Sequence, residues 1–300
     1  MSMGYMGYVR FGETLVLATS ASITENSGQI ISGSTRGAGW YHAGNHHYAL
    51  DTIKYEGDIN IELIPSVWNF LKEWIVQERT KSKSVLISPD GLNTYQFTGG
   101  GTGEIGSLSG LWATSANFGT SEGDIISCSI GVLGVKRDYN QDKDSYLENS
   151  KGLDCGEVSM NFENTTPYPF WKSLASITSK GSSPLDETTE FTEWSIGCTN
   201  NPTLVYACTG ERGPLALVMG EMEATGSVVA FDMSGVNGMY SDNMKDARFE
   251  VIIDGEKSLS LPSIIIESDG NDLAGNDSMI TRAFSFKGLA GPSLPPFLMR

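Results

Sequence analysis

Apolar and polar residues alternate along much of the chain, which predicts β-strands with one buried face. The clearest run carries its apolar residues on odd positions: Ile53, Tyr55, Ile59, Ile61 and Leu63. Gly57 lies within this run, where a glycine indicates a bulge. The pattern predicts a mainly β fold.

Further strands are predicted on both sides of this run. β-branched residues at 14–23 and 29–32 flank the turn sequence Glu25-Asn26-Ser27-Gly28, which predicts a hairpin. The remaining strands predicted in the first half span residues 84–88, 93–98, 108–118 and 125–135, with a turn at 89–91 between the first two. The first half is therefore expected to consist mainly of strands.

Residues 66–75 carry the one strong helical pattern of the first half. The apolar residues of this segment fall on one helical face: Val67, Phe70, Leu71, Trp74 and Ile75. Ser66, after Pro65, is the predicted N-cap. This helix is expected to bury its apolar face against a sheet.

Residues 33–51 lack periodicity and predict a long glycine-rich loop that holds all three histidines. Loops longer than about 12–15 residues inside a compact domain are usually functional or disordered. This loop is therefore the first candidate for a contact site.

The second half repeats this order with shorter connections. Residues 191–198 and 203–209 predict its first hairpin, and residues 211–214 stand where the long loop was. A strand or strand pair is predicted at 215–233, and a short remnant of the helix at 239–245. The last predicted strands span residues 248–253, 257–261, 263–268 and 279–287.

Short matches between the two halves indicate a tandem duplication. Ile23 matches Ile196 and Gly57 matches Gly226, and two further pairs follow in the same order: Val85 with Val251, and Gly131 with Gly288. The offset between partners falls steadily from 173 to 157 residues, as loop deletions in a second copy would produce. The predicted domains are residues 1–136 and 190–300.

A polar connector at residues 137–189 is predicted between these domains. Its central sequence, Pro167-Tyr168-Pro169-Phe170-Trp171, is expected to anchor it on a domain surface.

Composition limits the classes of function. The formal charge of −16 disfavours adhesive binding to nucleic acid, which relies on Lys and Arg. No apolar stretch reaches the roughly 18 residues of a membrane span, so no membrane insertion is expected. The four cysteines, which lack Cys-x-x-Cys spacing, are expected to be reduced and mostly buried: Cys128, Cys155, Cys198 and Cys208.

Four motifs suggest chemistry, and each has a simpler structural explanation. The glycines of 101–106 match a dinucleotide-binding pattern, but no helix follows them to hold a pyrophosphate. His42, His46 and His47 lack accompanying metal ligands. The carboxylates of Glu56, Asp58 and Glu62 suit the solvent face of a strand. Residues 269–277 lack the ordered spacing of a calcium loop and are predicted to form a turn-rich loop. We therefore predict no catalytic, cofactor or metal site.

The order of elements resembles the phage tail-tube protein family. The residues that carry the resemblance are 18–24 in the opening strand, 56–61 in the strand after the long loop and 129–134 in the closing strand, together with their counterparts in the second half. The resemblance implies two tandem β-sandwich domains, each with a flanking helix that is short in the second copy. It covers most of the chain outside the connector.

This resemblance implies a structural virion protein without enzymatic activity. Six such domains form a ring whose inner sheets close into a β-barrel, so three duplicated chains would form a pseudo-hexamer. Stacked rings would then give a hollow conduit through which DNA passes without specific binding. Assembly in the host cytoplasm is expected, with a tail sheath, tape measure protein and baseplate or terminator proteins as possible partners.

In the family, the loop after the second strand reaches the adjacent ring. That role would fall here to residues of the long loop: Gly33, Arg36, Trp40, Tyr41, His46, His47, Tyr48 and Asp51. The short 211–214 connection would not reach as far. An alternative is a tandem β-sandwich that binds carbohydrate or a cell surface, with Trp40, Tyr41 and Tyr48 stacking on sugar rings.

Overall fold

A computed structural model gives the arrangement of most of the chain. It describes residues 8–11, 14–31, 48–88, 106–138, 166–178, 191–206, 208, 214–231, 247–272, 281–291 and 294–300. Fifteen strands are found in these ranges. They are β1 (Tyr8–Phe11), β2 (Thr14–Ile31), β3 (Tyr48–Glu62), β4 (Lys83–Ser88), β5 (Gly106–Ser121), β6 (Ser127–Asp138), β7 (Ser173–Thr178), β8 (Phe191–Thr199), β9 (Thr203–Val205), β10 (Ala216–Val218), β11 (Glu223–Phe231), β12 (Ala247–Ile253), β13 (Lys257–Asp272), β14 (Thr281–Gly288) and β15 (Leu298–Met299).

Thirteen of these strands form one sheet, in which every neighbouring pair is antiparallel. Its order is β4-β1-β2-β3-β6-β5-β8-β11-β14-β13-β12-β7, with β15 beside β13. Strand β4 also pairs with β5, so the first six strands close on themselves. The fold is mainly β, as the alternating pattern predicted.

The order of pairing in the second half repeats that of the first. The series β8-β11-β14-β13-β12-β7 follows β2-β3-β6-β5-β4-β1 strand for strand. Ile23 lies opposite Gly57 in the first series, and Ile196 lies opposite Gly226 in the second. The register also shifts at matching places, near Thr114 in β5 and near Glu267 in β13.

Two of the sequence matches between the halves are displaced by the observed register. Tyr55 pairs with Gly134, whereas Ala224 pairs with Gly288, so Gly288 corresponds to Gly134 and not to Gly131. In the same way, Val85 of β4 pairs with Leu108, and Phe249 of β12 pairs with Leu261, which corresponds to Leu108. Val85 therefore corresponds to Phe249 and not to Val251. Short apolar matches found in sequence can slip by two or three residues.

The predicted helix exists and packs as expected, although it starts differently. A 3₁₀ turn (Pro65–Val67), α1 (Trp68–Lys72) and a π-helical turn (Glu73–Gln77) follow one another. The predicted cap at Ser66 is wrong, because Ile64 occupies the N-cap position and no side chain caps the turn. The buried residues of this segment, Val67, Trp68, Leu71, Trp74 and Ile75, join one continuous core.

Aromatic contacts fix the helical segment on the sheet. Phe11 of β1 lies 5.4 Å from Phe70 and 6.3 Å from Trp74, measured between ring centroids. The Trp74 indole donates a hydrogen bond to the Leu111 carbonyl at 3.3 Å. The segment therefore contacts β1 and β5, the two strands that pair with β4.

Both predicted hairpins at the start of the halves are wrong. Residues 25–28 lie inside strand β2, where residues 25–27 pair with β3 and Gly28 lies at a register shift. In the second half, β9 pairs with β10, and β8 pairs with β11 and β5. A long neighbouring strand supplies a ladder of hydrogen bonds that outweighs local turn propensity.

Three other predictions of loops and breaks are wrong in part. Strand β3 already begins at Tyr48, so Tyr48–Asp51 is not loop. Strand β13 is continuous across the predicted break at Pro262, which lies at a register shift where no ladder bond is lost. Residues 269–272 continue β13 and do not form a turn-rich loop.

Gly57 is not a bulge, since its pairing with both neighbouring strands is regular. The glycine is needed for another reason. A Cβ atom at this position would lie 1.9 Å from the Ser22 carbonyl oxygen. The close approach of β2 to β3 therefore explains why residue 57 is a glycine.

The connector contributes structure of its own. Tyr168 is buried, and its backbone N–H donates to the Leu63 carbonyl at 3.0 Å, as expected for an anchor. Within the predicted connector, β7 pairs with β12 of the second half. The helix predicted at 239–245, the strand at 93–98 and the turn at 89–91 lie outside the described residues.

Candidate assembly interface

Eight central strands form a sheet with one apolar and one polar face. Apolar side chains of β2, β3, β6, β5, β8, β11, β14 and β13 point into the core, as Ile59, Ile130, Phe118 and Ile196 show. The opposite face carries small polar residues: Ser20, Ser22, Thr24, Asn60, Ser115, Asn117, Ser129, Ser195, Thr225, Ser227 and Ser285. Small polar residues thus predominate on this face in both halves of the chain, although the exposed Ile265 pairs with Lys287 on it.

Hydroxyl and amide groups of the polar face bond to one another across strands. The Ser195 and Ser227 hydroxyls lie 2.7 Å apart, and Asn60 Nδ2 donates to Ser20 Oγ at 2.7 Å. These side chains are therefore occupied with their neighbours on the sheet.

The described charged side chains of the polar face are negative on balance. Its described carboxylates are Glu56, Asp58, Glu62, Glu193 and Glu223, and its described lysines are Lys54 and Lys287. Each lysine lies beside a carboxylate, Lys54 at 2.7 Å from Glu56 and Lys287 at 3.9 Å from Glu223. A surface of this kind repels phosphate groups.

A shallow cavity of about 490 Å³ opens on the polar face. Its lining includes Glu56, Asp58, Thr114, Ser115, Thr199 and Asn201. Its described lining includes no histidine or cysteine, so these residues offer hydroxyls and carboxylates without an imidazole base or a thiol. Among the residues that the structure describes, no group of three or more His, Cys, Asp or Glu could hold a metal ion.

The two ends of the eight-strand sheet have open edges. Strand β1 covers β2 only from Thr14 to Leu17, and within the described ranges no other strand pairs with that side of β2. Strand β12 covers β13 as far as Ile264, and in the described structure residues 265–272 pair with β14 alone. Open edges of this length present unpaired backbone donors and acceptors.

The joint between the halves is itself a pairing of two edges. Residues 115–121 of β5 pair with residues 193–199 of β8 in an unbroken register. Backbone bonds from Glu122 to the Thr192 carbonyl and from Asn200 to the Thr114 carbonyl extend this ladder at both ends, at 2.8 and 2.7 Å. Strand β8 stands in the second half where β2 stands in the first.

A charged cluster ties the helical segment to β4. Lys83 contacts Glu73 and lies 2.9 Å from Glu78, which also contacts Lys81. Hydrogen bonds from Lys81 and Lys83 lower the pKa of Glu78 to about 2. The bond to Glu73 raises the pKa of Lys83.

Burial keeps the two buried cysteines in the protonated thiol form. Burial raises the pKa of Cys198 to about 12 and raises that of Cys128 as well. Both are free thiols, as is the exposed Cys208. Cys155 lies outside the described residues.

The residues predicted for contact between rings are only partly placed. Gly33, Arg36, Trp40, Tyr41, His46 and His47 lie outside the described residues. Tyr48 and Asp51 belong to β3, where the backbone of Tyr48 pairs with Ile31. The open edges were missed in sequence, because an edge is a property of strand order, which alternation alone does not reveal.

A continuous antiparallel sheet with one polar face, and without a catalytic or metal-binding cluster among the described residues, is typical of a structural protein. A protein-family model described as phage tail tube protein matches residues 49–288 of the chain. The chain therefore belongs to the phage tail tube protein family, whose members are structural components of the virion tail. A comparison with curated proteins gives no match.

No described helix is long and apolar enough to cross a membrane.

Proposed function

We propose that the chain is a tandem duplicate of a tail-tube domain and that it assembles into trimeric rings. The repeated pairing order supports the duplication, with residues 1–136 and 190–300 as the two domains. Each chain would contribute eight strands to the inner wall, so three chains would close a barrel of about 24 strands. The rings would stack into the conduit for DNA delivery.

The observation that carries this proposal is the joint between β5 and β8. Because β13 corresponds to β5 and β2 corresponds to β8, the same kind of joint would connect β13 of one chain to β2 of the next. The intrachain register then predicts the interchain register: Ser22 opposite Asp272, Thr24 opposite Gly270 and Asn26 opposite Ser268. Both open edges would be satisfied in a closed ring.

The polar face of the eight-strand sheet would line the lumen. Its carboxylates Glu56, Asp58, Glu193 and Glu223 would face passing DNA, and the Ser195 and Ser227 hydroxyls are engaged with each other. Like-charge repulsion would prevent adhesion, since phosphate binding depends on basic side chains. DNA would move along this wall without specific binding.

Tail components would be the partners of the finished tube. A sheath, a tape measure protein and baseplate or terminator proteins are the candidates, and the tube would assemble in the host cytoplasm. We propose no enzymatic activity. Loop residues 33–47 would contact the adjacent ring.

Proline variants at the two open edges test ring closure. Asn200, directly after β8, directs its N–H towards β5, and in the proposed correspondence odd positions of β2 direct theirs outward. Ala21→Pro therefore removes a donor from the β2 edge, and Asn271→Pro removes one from the β13 edge, while each strand keeps its inner partner. We expect each variant alone to stay monomeric.

Mixing the two variants is the decisive arm of this experiment. Each retains one good edge, so the mixture should give heterodimers and no rings, whereas the unmodified chain gives particles of three times its 32.4 kDa mass. Mass photometry distinguishes these species. Ser22→Ala is the matched control, at a position of β2 whose N–H points inward to β3. Rings formed by either proline variant alone would contradict the proposal.

A further inference from the structure

A buried asparagine holds the joint between the halves. Asn200 follows β8 and is fully buried, and its side-chain Nδ2 donates to the Ala113 carbonyl at 3.1 Å and the Ile75 carbonyl at 3.5 Å. Its backbone N–H donates to the Thr114 carbonyl at 2.7 Å. One residue of the second half thus forms hydrogen bonds both to β5, at its register shift, and to the π-helical turn of the first half.

Arg79 extends the same polar joint. Its Nη2 donates to the Gly220 carbonyl at 2.7 Å, and Gly220 donates through its backbone to the Asn201 carbonyl at 3.2 Å. A Cβ atom at position 220 would lie 2.5 Å from that Asn201 oxygen, so glycine is required there. The chain beyond β8 and the chain before β11 are thereby held against the first half.

The asparagine side chain at position 200 carries an energetic cost. Its Oδ1 is buried and accepts no hydrogen bond from the described residues. An unsatisfied buried acceptor destabilises a fold, and an apolar side chain would avoid the loss. Buried polar groups that carry such a cost are best known for specifying which partners pair.

The corresponding position on the other edge differs in chemistry. The pairing of Ile23 with Gly57 and of Ile196 with Gly226 sets the correspondence, so Ser27 stands in β2 where Asn200 stands after β8. A serine side chain is shorter and has a single donor, so it cannot span two carbonyl groups. The two edges share a register but not this contact.

We propose that Asn200 selects β8 of the same chain, and not β2 of a second copy, as the partner of the β5 edge. This inference rests on the proposed correspondence between β2 and β8. Two edges of similar register compete for β5, and a pairing between β5 and β2 would join first halves to each other and leave second halves unpaired. Specificity between similar partners requires a contact that only one of them can make.

Two cysteine reporters distinguish the correct joint from the wrong one. Ser121 lies opposite Glu193, and because the neighbouring Glu122 and Thr192 exchange a hydrogen bond, this is a non-hydrogen-bonded pair with close Cβ atoms. Ser121→Cys with Glu193→Cys reports the joint within a chain. Ser121→Cys with Ser20→Cys reports pairing of β5 with β2 of another copy.

The reporters are placed in the full chain with Cys155→Ser and Cys208→Ser, and disulfide products are read on non-reducing gels. With Asn200 and Ser27 in place, we expect the 121/193 disulfide within one chain and no 121/20 product. Exchanging the two residues, as Asn200→Ser with Ser27→Asn, should lower the 121/193 product about tenfold and yield 121/20 dimers. Equal yields in both backgrounds would overturn the proposal.

Ser27→Asn alone keeps the inference falsifiable if Asn200→Ser fails to fold. It leaves the native joint intact, and it should raise the 121/20 product through competition. An unchanged 121/20 yield would count against the selecting role of the asparagine. Both reporters read pairing before any ring or tube forms, so they distinguish failure of this inference from failure of ring assembly.

Discussion

Glycine at two corresponding positions serves the fold in two different ways. A Cβ at Gly57 would lie 1.9 Å from the Ser22 carbonyl oxygen, whereas a Cβ at Gly226 would lie 2.3 Å from an edge atom of the Phe286 ring. The first contact is with backbone and cannot be relieved by a rotamer change. The second is with a side chain that can turn.

Gly57→Ala should therefore destabilise the protein severely. Separation of β2 from β3 would be the only relief, and we expect the free energy of unfolding to fall by at least about 2 kcal/mol. Chemical denaturation followed by circular dichroism measures this change. Gly291→Ala, where the nearest atoms lie 3.9 Å from the new Cβ, is the matched control and should be near neutral. Similar midpoints for the two variants would refute this account of Gly57.

At the scale of elements, the sequence predicts the features that leave a periodic pattern of apolar residues. It misses the features that depend on which strands pair with each other. The helical stripe from Val67 to Ile75 and the alternation of β3 are confirmed, because burial on one face leaves a direct mark on residue order. The turn predicted at residues 25–28 is wrong, because residues 25–27 pair with β3 and the ladder resumes at Gln29 after a register shift. Pro262 does not end β13, because the register shift removes the need for its missing N–H.

The same limit applies to the candidate site. Polar alternation in β3 predicts that Glu56 and Asp58 face solvent, and the structure places both on the polar face. The open edges of β2 and β13 depend on which strands neighbour them, and no local pattern reports that. The buried role of Asn200 was likewise invisible, because an asparagine after a strand is ordinarily a turn residue.

The junction of the helical segment with β4 should weaken in acid. Glu78 has a folded pKa of about 2, below its ordinary value near 4.5, so its ion pairs stabilise the protein above pH 4.5. This contribution is lost as the pH falls towards 2, because protonation removes the charge. The junction is thus an acid-sensitive element in a fold otherwise held by apolar packing.

Glu78→Gln tests this element through urea unfolding at several pH values. We expect the variant to have a lower unfolding midpoint than the unmodified protein at pH 6, and the difference should shrink steadily between pH 5 and pH 2. Glu122→Gln, in an exposed turn, is the comparison variant. A difference that stays constant down to pH 2 would show that the carboxylate charge at position 78 is not what matters.

At the scale of the whole molecule, the sheet runs without a break through both halves of the chain. A formal charge of −16 makes copies repel one another at long range, so lateral association must rely on short-range contacts. Paired backbone edges supply such contacts at about one hydrogen bond per residue. In the proposed ring, this pairing would give a defined register between neighbouring chains.

Disulfide trapping of the proposed joint between chains tests the central claim most directly. Ser22→Cys with Asp272→Cys places a cysteine on each open edge, at positions that correspond to Ser195 and Gly119 of the intrachain joint. Oxidation of assembled protein should give linked dimers and trimers on a non-reducing gel, with the circular trimer as the final product. The absence of linked species, or a ladder that continues to six chains, would contradict a ring of three chains joined by β13 and β2.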